Sequence, residues 1–210
     1  KRQDNALIKV YNIPIFYFPR ISHPDPTVDR RSGFLPPSYS DTKNLGEGIS
    51  LPYFFNMGVD KNFTLTNRLY LKENPLFLGE YHQVFKNSFL MTDFGYTAGY
   101  KNTTVKKKAG EKSHFFSKYT KNFIGKNNSK NFIELNVQEV SDDKYLKLYK
   151  IKSNLVDFNS STIENSINFT RENENSFFGL NASLYESLDD DYNDKYEYFF
   201  PEITFDKNLL

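Results

Sequence analysis

The sequence predicts an all-β, antiparallel protein of the transmembrane β-barrel type with about ten strands. Three observations carry this: the hydrophobic period, the aromatic content and the order of the connections. Apolar residues recur at every second position rather than every 3.6. Aromatic residues make up 17% of the chain, with 21 Phe, 15 Tyr and no Trp, although the mean hydropathy is only −0.64. Phe and Tyr suit pleated surfaces, so a polar chain this rich in them reads as sheet. Compact polar turns alternate with connections that are mostly longer, as in a barrel with short turns at one rim and long loops at the other.

The period of two can be followed strand by strand. Phe63, Leu65, Asn67, Leu69 and Leu71 alternate with Thr64, Thr66, Arg68 and Tyr70. Phe77, Gly79, Tyr81 and Phe85 oppose Glu80, His82 and Lys86. Leu90, Phe94, Tyr96, Ala98 and Tyr100 are expected on one face, against Asp93, Gly95, Thr97 and Gly99. Ile133, Leu135 and Val137 oppose Glu134, Asn136 and Gln138. Ile163, Ile167 and Phe169 are expected to share a face, as are Phe178, Leu180, Ala182 and Leu184. Phe115, Tyr119 and Phe123 have helical spacing, but aromatic and Thr content favours strand there. Tyr145-Leu-Lys-Leu-Tyr149 fits a helical turn or a strand equally. Val59–Asn62, Lys86–Ser88, Gly125–Lys130 and Arg171–Asn175 read as compact turns. Lys72–Pro75, Lys101–Lys112, Ser141–Ser153 and Ser187–Lys195 form the other set of connections.

The amino-terminal block follows different rules. Ile13-Pro-Ile-Phe-Tyr-Phe-Pro19 is an apolar run too short for a helix, and Pro14 makes it an edge or end strand. In Ser22-His-Pro-Asp-Pro26, Pro24 and Pro26 force stiff, extended backbone. Arg30-Arg31-Ser32-Gly33 leads into Phe34-Leu35-Pro36-Pro37, a segment built as a rigid hinge feeding a strand that pairs poorly. The next strand, from Gly46 to Met57, carries Pro52. Both ends read as cut from a longer chain, since it opens on Lys1 without Met and closes on a strand running into a turn.

Composition excludes several chemistries. A net charge of +1 gives no reason to expect nucleic acid. Zero Cys removes disulfides, thiolate zinc sites and cysteine nucleophiles together. No window reaches the roughly 18 apolar residues of a spanning helix, which leaves a barrel open because its alternating strands average out in hydropathy. His23, His82 and His114 have no metal-ligand spacing, and no metal or other cofactor is expected. Asp189-Asp190-Asp191 with Asp194 could meet Ca²⁺, and Lys106-Lys107-Lys108 could meet phosphates; solvated loops explain both runs. There is no phosphate-binding Gly loop and no nucleophile elbow, so no catalytic residue is expected.

Several motifs together resemble a known family. Ile13-Pro-Ile-Phe-Tyr-Phe-Pro19, His23-Pro-Asp-Pro26, Arg30-Arg-Ser-Gly-Phe-Leu-Pro-Pro37 and Leu51-Pro-Tyr-Phe-Phe55 stand in the order and spacing of the junction region of the LptD family. This is the lipopolysaccharide-assembly family of Gram-negative outer membranes, also called organic solvent tolerance proteins. Ser141–Tyr149 and Phe200-Pro-Glu-Ile203 also resemble family segments. The match is dense over residues 11–57 and patchy beyond. The doubled Pro36-Pro37 and the absence of Trp depart from the pattern.

The resemblance implies a periplasmic β-jelly roll ending at residues 1–22, a Pro-rich hinge at 23–32, and the amino-terminal part of an outer-membrane barrel at 33–210. It implies non-catalytic insertion of lipopolysaccharide into the outer leaflet, with lipid A leaving sideways near the first barrel strands. Pro36, Pro37 and Pro52 would weaken that lateral gate; protection of a sheet edge is the plainer reading of the same prolines. Pro24, Pro26, Arg30, Arg31 and Gly33 would form the hinge. Ile13, Ile15, Phe16, Tyr17 and Phe18 would line a lipid path, ordinary core packing being the alternative; alternation leaves open which face does so. Implied partners are lipopolysaccharide, an LptE-like outer-membrane lipoprotein plug, the periplasmic bridge protein of the transport chain, the barrel-assembly machinery and outer-membrane lipids. The competing expectation is a soluble periplasmic or secreted β-domain that binds glycan or protein.

Overall fold

A computed structural model describes residues 2–10, 13–22, 30–101, 103–104, 108–189 and 194–208. Strands β1 (Arg2–Val10) and β2 (Ile13–Ser22) form an antiparallel two-stranded sheet of their own. Its register slips between Ile8 and Lys9, where Lys9 pairs with Pro14. A proline brings no N–H to a ladder, and here it stands where a bulge has already opened the pairing.

The second sheet is an antiparallel meander. β3 (Gly33–Phe34) and β4 (Ser38–Thr42) both pair with β5 (Gly46–Asn56). Then follow β6 (Lys61–Tyr70), β7 (Leu76–Val84), β8 (Ser88–Thr97) and β9 (Lys112–Ile124). β10 (Lys130–Val140), β11 (Thr162–Asn173), β12 (Ser176–Ser187) and β13 (Tyr196–Lys207) complete it. Each strand from β5 onward pairs with its sequence neighbours. β3 and β4 share one lane, so the eleven strands fill ten lanes. Phe115, Tyr119 and Phe123 lie on β9, not on a helix. Among the described residues no helix is long and apolar enough to cross a membrane.

Connections sort by rim. Residues 57–60, 85–87, 125–129 and 174–175 join strands at one end, and the chain enters β3 at that same end. Residues 43–45, 71–75, 98–111, 141–161 and 188–195 join them at the other. The turn at 125–129 closes by placing Asn127 and Asn128 at φ 56°, a left-handed conformation that Asn tolerates better than most residues.

Cross-strand partners share a face, and the two faces differ. One carries Arg68, Leu76, Glu80, Asp93, His114, Lys118 and Glu134. The longest connection, residues 141–161, folds back over this face and carries α1 (Tyr145–Tyr149). Tyr145, Leu146, Tyr149, Ile151 and Val156 from that loop pack with Leu45, Leu76, Tyr100, Phe116, Ile163 and Leu188 into the core. The segment Tyr145–Tyr149 is therefore helical, which alternation alone left undecided.

One face assignment is corrected. Tyr100 does not continue the exposed face of Phe94 and Tyr96. β8 ends at Thr97, Gly99 takes φ +90°, and the chain turns so that Tyr100 is buried and stacks on Tyr149 at 5.4 Å. A side chain at position 99 would also place Cβ 2.1 Å from the Gly110 carbonyl oxygen, so both conformation and space demand glycine. Ile163, Ile167 and Phe169 do share a face, as the pairing of β11 with β12 shows, but Ile163 is 1% exposed and joins the core at the loop end of its strand, whereas Ile167 is 42% exposed.

Candidate functional site

The first lane of the large sheet is its least regular part. β3 pairs Gly33 with Phe54 and Phe34 with Tyr53, while β4 resumes with Ser38 opposite Ser50. Three residues, Leu35, Pro36 and Pro37, therefore face two, Leu51 and Pro52, which is the count of a β-bulge. The Leu35 amide donates to the Pro52 carbonyl at 2.9 Å. In a strand the N–H and C=O of one residue point to the same neighbour, so the donor Pro52 lacks is aimed at the first lane and not at β6. Leu35 and Pro52 thus form a pair that can exchange only one of its two bonds. The three prolines meet at one point in the ladder, on adjacent lanes.

Below this break the hinge residues are held differently. The Asn56 amide donates to Ser32 Oγ at 2.8 Å, and Asn56 Nδ2 donates to the Arg30 carbonyl. Gly33 opens β3, and Arg30 and Arg31 are exposed just before it. Pro24 and Pro26 lie outside the described residues. Of Ile13, Ile15, Phe16, Tyr17 and Phe18, strand β2 is described and the side chains lie outside the description.

Away from the first lane, loop 141–161 is latched by polar contacts at its start and along its middle. Lys112 pairs with Asp142 at 3.1 Å, and Lys195 bridges Asp143 at 3.1 Å and Glu186 at 2.9 Å. Those partners raise the Lys195 pKa, led by its hydrogen bond to Glu186. Arg68 Nη1 donates to the Tyr149 and Lys150 carbonyls at 2.8 and 3.4 Å. These are orphan acceptors at the carboxyl end of α1, where a cation also complements the helix dipole. Ser153 Oγ donates to the buried Asp93 carboxylate, and His114 Nδ1 lies 3.1 Å from the Tyr145 hydroxyl. Burial raises the pKa of Tyr100 and Tyr145 and pushes Tyr149 up to about 12. A cavity of about 160 Å³ remains under the loop, between Thr66, Arg68, Glu80, Asp93, His114 and Lys152. The apolar spacing of Tyr145, Leu146, Tyr149, Ile151 and Val156 is the available signal for this folded-back loop, but spacing alone does not say that the connection returns over the sheet.

The opposite face is uncovered. Leu69, Phe77, Phe94, Tyr96, Phe115, Leu135, Val137, Ile167, Ile203 and Phe205 are exposed on it. Five rings run across its hinge-side half: Phe34 to Tyr53 at 4.9 Å, Tyr53 to Phe55 at 4.6 Å, Phe55 to Phe63 at 5.7 Å and Phe63 to Phe94 at 6.1 Å. A bare apolar face of this extent marks an interaction surface.

The weaker candidates are dispersed. His82 pairs with Glu80 at 3.1 Å, while His114 serves the loop; His23 is outside the described residues. Among the described residues no three potential metal ligands converge. Asp189 lies 3.8 Å from Lys147, and Asp190, Asp191, Lys106 and Lys107 fall outside the description.

No protein-family model matches the chain. Curated relatives do. LPS-assembly protein LptD of Legionella pneumophila (strain Paris) is 27% identical over 193 residues, 88% of this chain and 22% of the relative. The chain is similar to proteins named LPS-assembly protein LptD. LptD of Pseudomonas putida (strain W619) is 38% identical over 86 residues, 40% of this chain and 9% of the relative. LptD of Psychrobacter cryohalolentis is 33% identical over 85 residues, 40% of this chain and 8% of the relative. The chain therefore spans between 8% and 22% of the length of these LptD proteins. The resemblance carried by the proline and aromatic motifs and the likeness of whole segments point to the same family.

Proposed function

We propose that this chain works in lipopolysaccharide assembly as part of a Gram-negative outer-membrane barrel wall. Residues 33–210 form the amino-terminal part of that wall, residues 23–32 the hinge, and residues 1–22 the end of a periplasmic jelly roll. The observation that carries this reading is the meeting of Pro36, Pro37 and Pro52 at one bulge in the first lane, in a chain related to LptD. The faces fit it as well. From Lys61 to Tyr70 strand β6 spans nine residue steps, about 30 Å along a strand and about 23 Å at barrel tilt, close to the height of a transmembrane barrel's apolar band.

In this reading the chain does no chemistry. The polar face turns to the lumen and passes the glycan, while the acyl chains of lipid A leave sideways beside the first lane. A ladder short of donors at 36, 37 and 52 opens there at low cost, since each missing hydrogen bond is worth about 1 kcal/mol net. Ile13, Ile15, Phe16, Tyr17 and Phe18 would feed the acyl chains toward that opening across the hinge formed by Pro24, Pro26, Arg30, Arg31 and Gly33. A lipoprotein plug, the periplasmic bridge protein, the barrel-assembly machinery and the surrounding lipids are the expected partners. The test is surface delivery of lipopolysaccharide in cells carrying Pro37→Ala with Pro52→Ala. Slower delivery at equal barrel abundance is expected; unchanged delivery overturns the gate. Expressed in its full-length context, a protein that stays monodisperse without detergent overturns the membrane reading itself.

A further inference from the structure

The charges on the uncovered face are sorted by rim. On the strands of the large sheet, the basic side chains of that face are Lys61, Lys121, Arg171 and Lys207. Each stands within three residues of the short-turn end of its own strand, on β6, β9, β11 and β13. The exposed acidic side chains of the same face, Asp41, Glu47 and Glu139, stand at the other end of β4, β5 and β10. Every other charged strand residue of the sheet except Glu186, which is buried against Lys195, lies on the covered face. Between the two rims the uncovered face is apolar or neutral.

Such sorting has no source in the folding of the sheet. A water-facing surface gains from interspersed signs, and four cations with no strand acid beside them at that end of the face repel one another. Neighbouring strands lie about 4.8 Å apart, so Lys121, Arg171 and Lys207, each two strands from the next, are spaced by about 10 Å. That is too wide for them to share one anion and suits one anion each. Aromatic rings stand with them: Lys121 Nζ lies 5.6 Å from the Phe123 ring centre, and Phe178 pairs directly with Arg171. Arg171 Nε is buried and has no partner among the described residues. A cation with an aromatic collar beside an apolar band is built for a phosphate on a hydrocarbon tail.

We infer that Lys61, Lys121, Arg171 and Lys207 form a headgroup rim that holds anionic phospholipids in the leaflet on the hinge side of the barrel wall. This rests on the membrane reading above and adds to it a lipid class and a rim. The acids at the opposite rim repel the same headgroups, so the pair of rims also sets which way the wall sits in the bilayer.

The test uses the full-length barrel that contains this chain, in nanodiscs of phosphatidylethanolamine and phosphatidylglycerol, released in mild detergent, with the retained lipids counted by native mass spectrometry. A basic side chain near a headgroup plane is worth about fivefold in affinity. The combined variant Lys61→Gln, Lys121→Gln, Arg171→Gln and Lys207→Gln should therefore lose at least about tenfold of its preference for phosphatidylglycerol. The variant Asp41→Asn, Glu47→Gln and Glu139→Gln should keep it. Should the fourfold variant fail to fold, two measurements replace it. Arg171→Gln alone should lower the preference, and about 1 M salt should abolish it in the unaltered protein, where the screening length falls to about 3 Å. Equal retention by wild type and variants, or retention indifferent to salt, overturns the inference while leaving the membrane reading intact. Retention of a protein in place of lipid overturns it too. A full-length protein that never enters the nanodisc overturns both.

Discussion

Replacing Pro52 by Ala isolates one hydrogen bond in the gate. Leu35 already donates to the carbonyl at position 52 at 2.9 Å, and the reciprocal bond fails only because proline has no N–H. Pro52→Ala supplies that N–H on the side facing the Leu35 carbonyl. The new bond should stabilise the pairing of β3 with β5 by about 1 kcal/mol, within a range of about 0.5–1.5. Losing proline also loosens the unfolded chain by about 0.4–1 kcal/mol, so global melting can show no gain at all. Local opening is the proper readout. Amide hydrogen exchange at Leu35 should slow about fivefold, with exchange in β9 and β10 unchanged. Unaltered exchange at Leu35 would refute the argument that the missing donor faces the first lane. Slower exchange at Thr66 in its place would show that it faces β6 instead.

Three further outcomes follow from the loop and its support. Arg68→Leu removes the donor that closes α1, which should cost about 1.5–3 kcal/mol of loop docking and appear as faster proteolysis within residues 141–161. The folded-state pKa of Tyr149 is raised from 10.0 to about 12 by burial, and its neutral form is the docked one. Docking is therefore complete below pH 10 and is lost as the pH rises through about 12; tyrosinate absorbance should rise together with loop proteolysis, and Tyr149→Phe should remove part of that alkaline step. Gly99→Ala meets both a φ of +90° and the Gly110 carbonyl, so it should lower the melting temperature, whereas Gly110→Ala, with open space around it, carries the conformational cost alone.

Much of this protein can be read without its coordinates, because a strand's side chains alternate by geometry and a proline lacks its donor wherever it stands. The period at Lys61–Tyr70 and Lys130–Val140, the compact turns at one rim and the awkwardness of Pro36, Pro37 and Pro52 all follow from local chemistry. What the tertiary structure decided depends on partners distant in sequence. Tyr100 faces inward because Tyr149 waits for it, Ile163 is buried because it joins the core cluster with Leu188, and Arg68 is a helix cap because α1 ends beside it. The register decided the rest: only the pairing of Leu35 with Pro52 shows where the missing N–H points, and only the cross-strand rows show that Lys61, Lys121, Arg171 and Lys207 share one rim. Alternation says that a side chain has a face, and pairing says which other side chains share it.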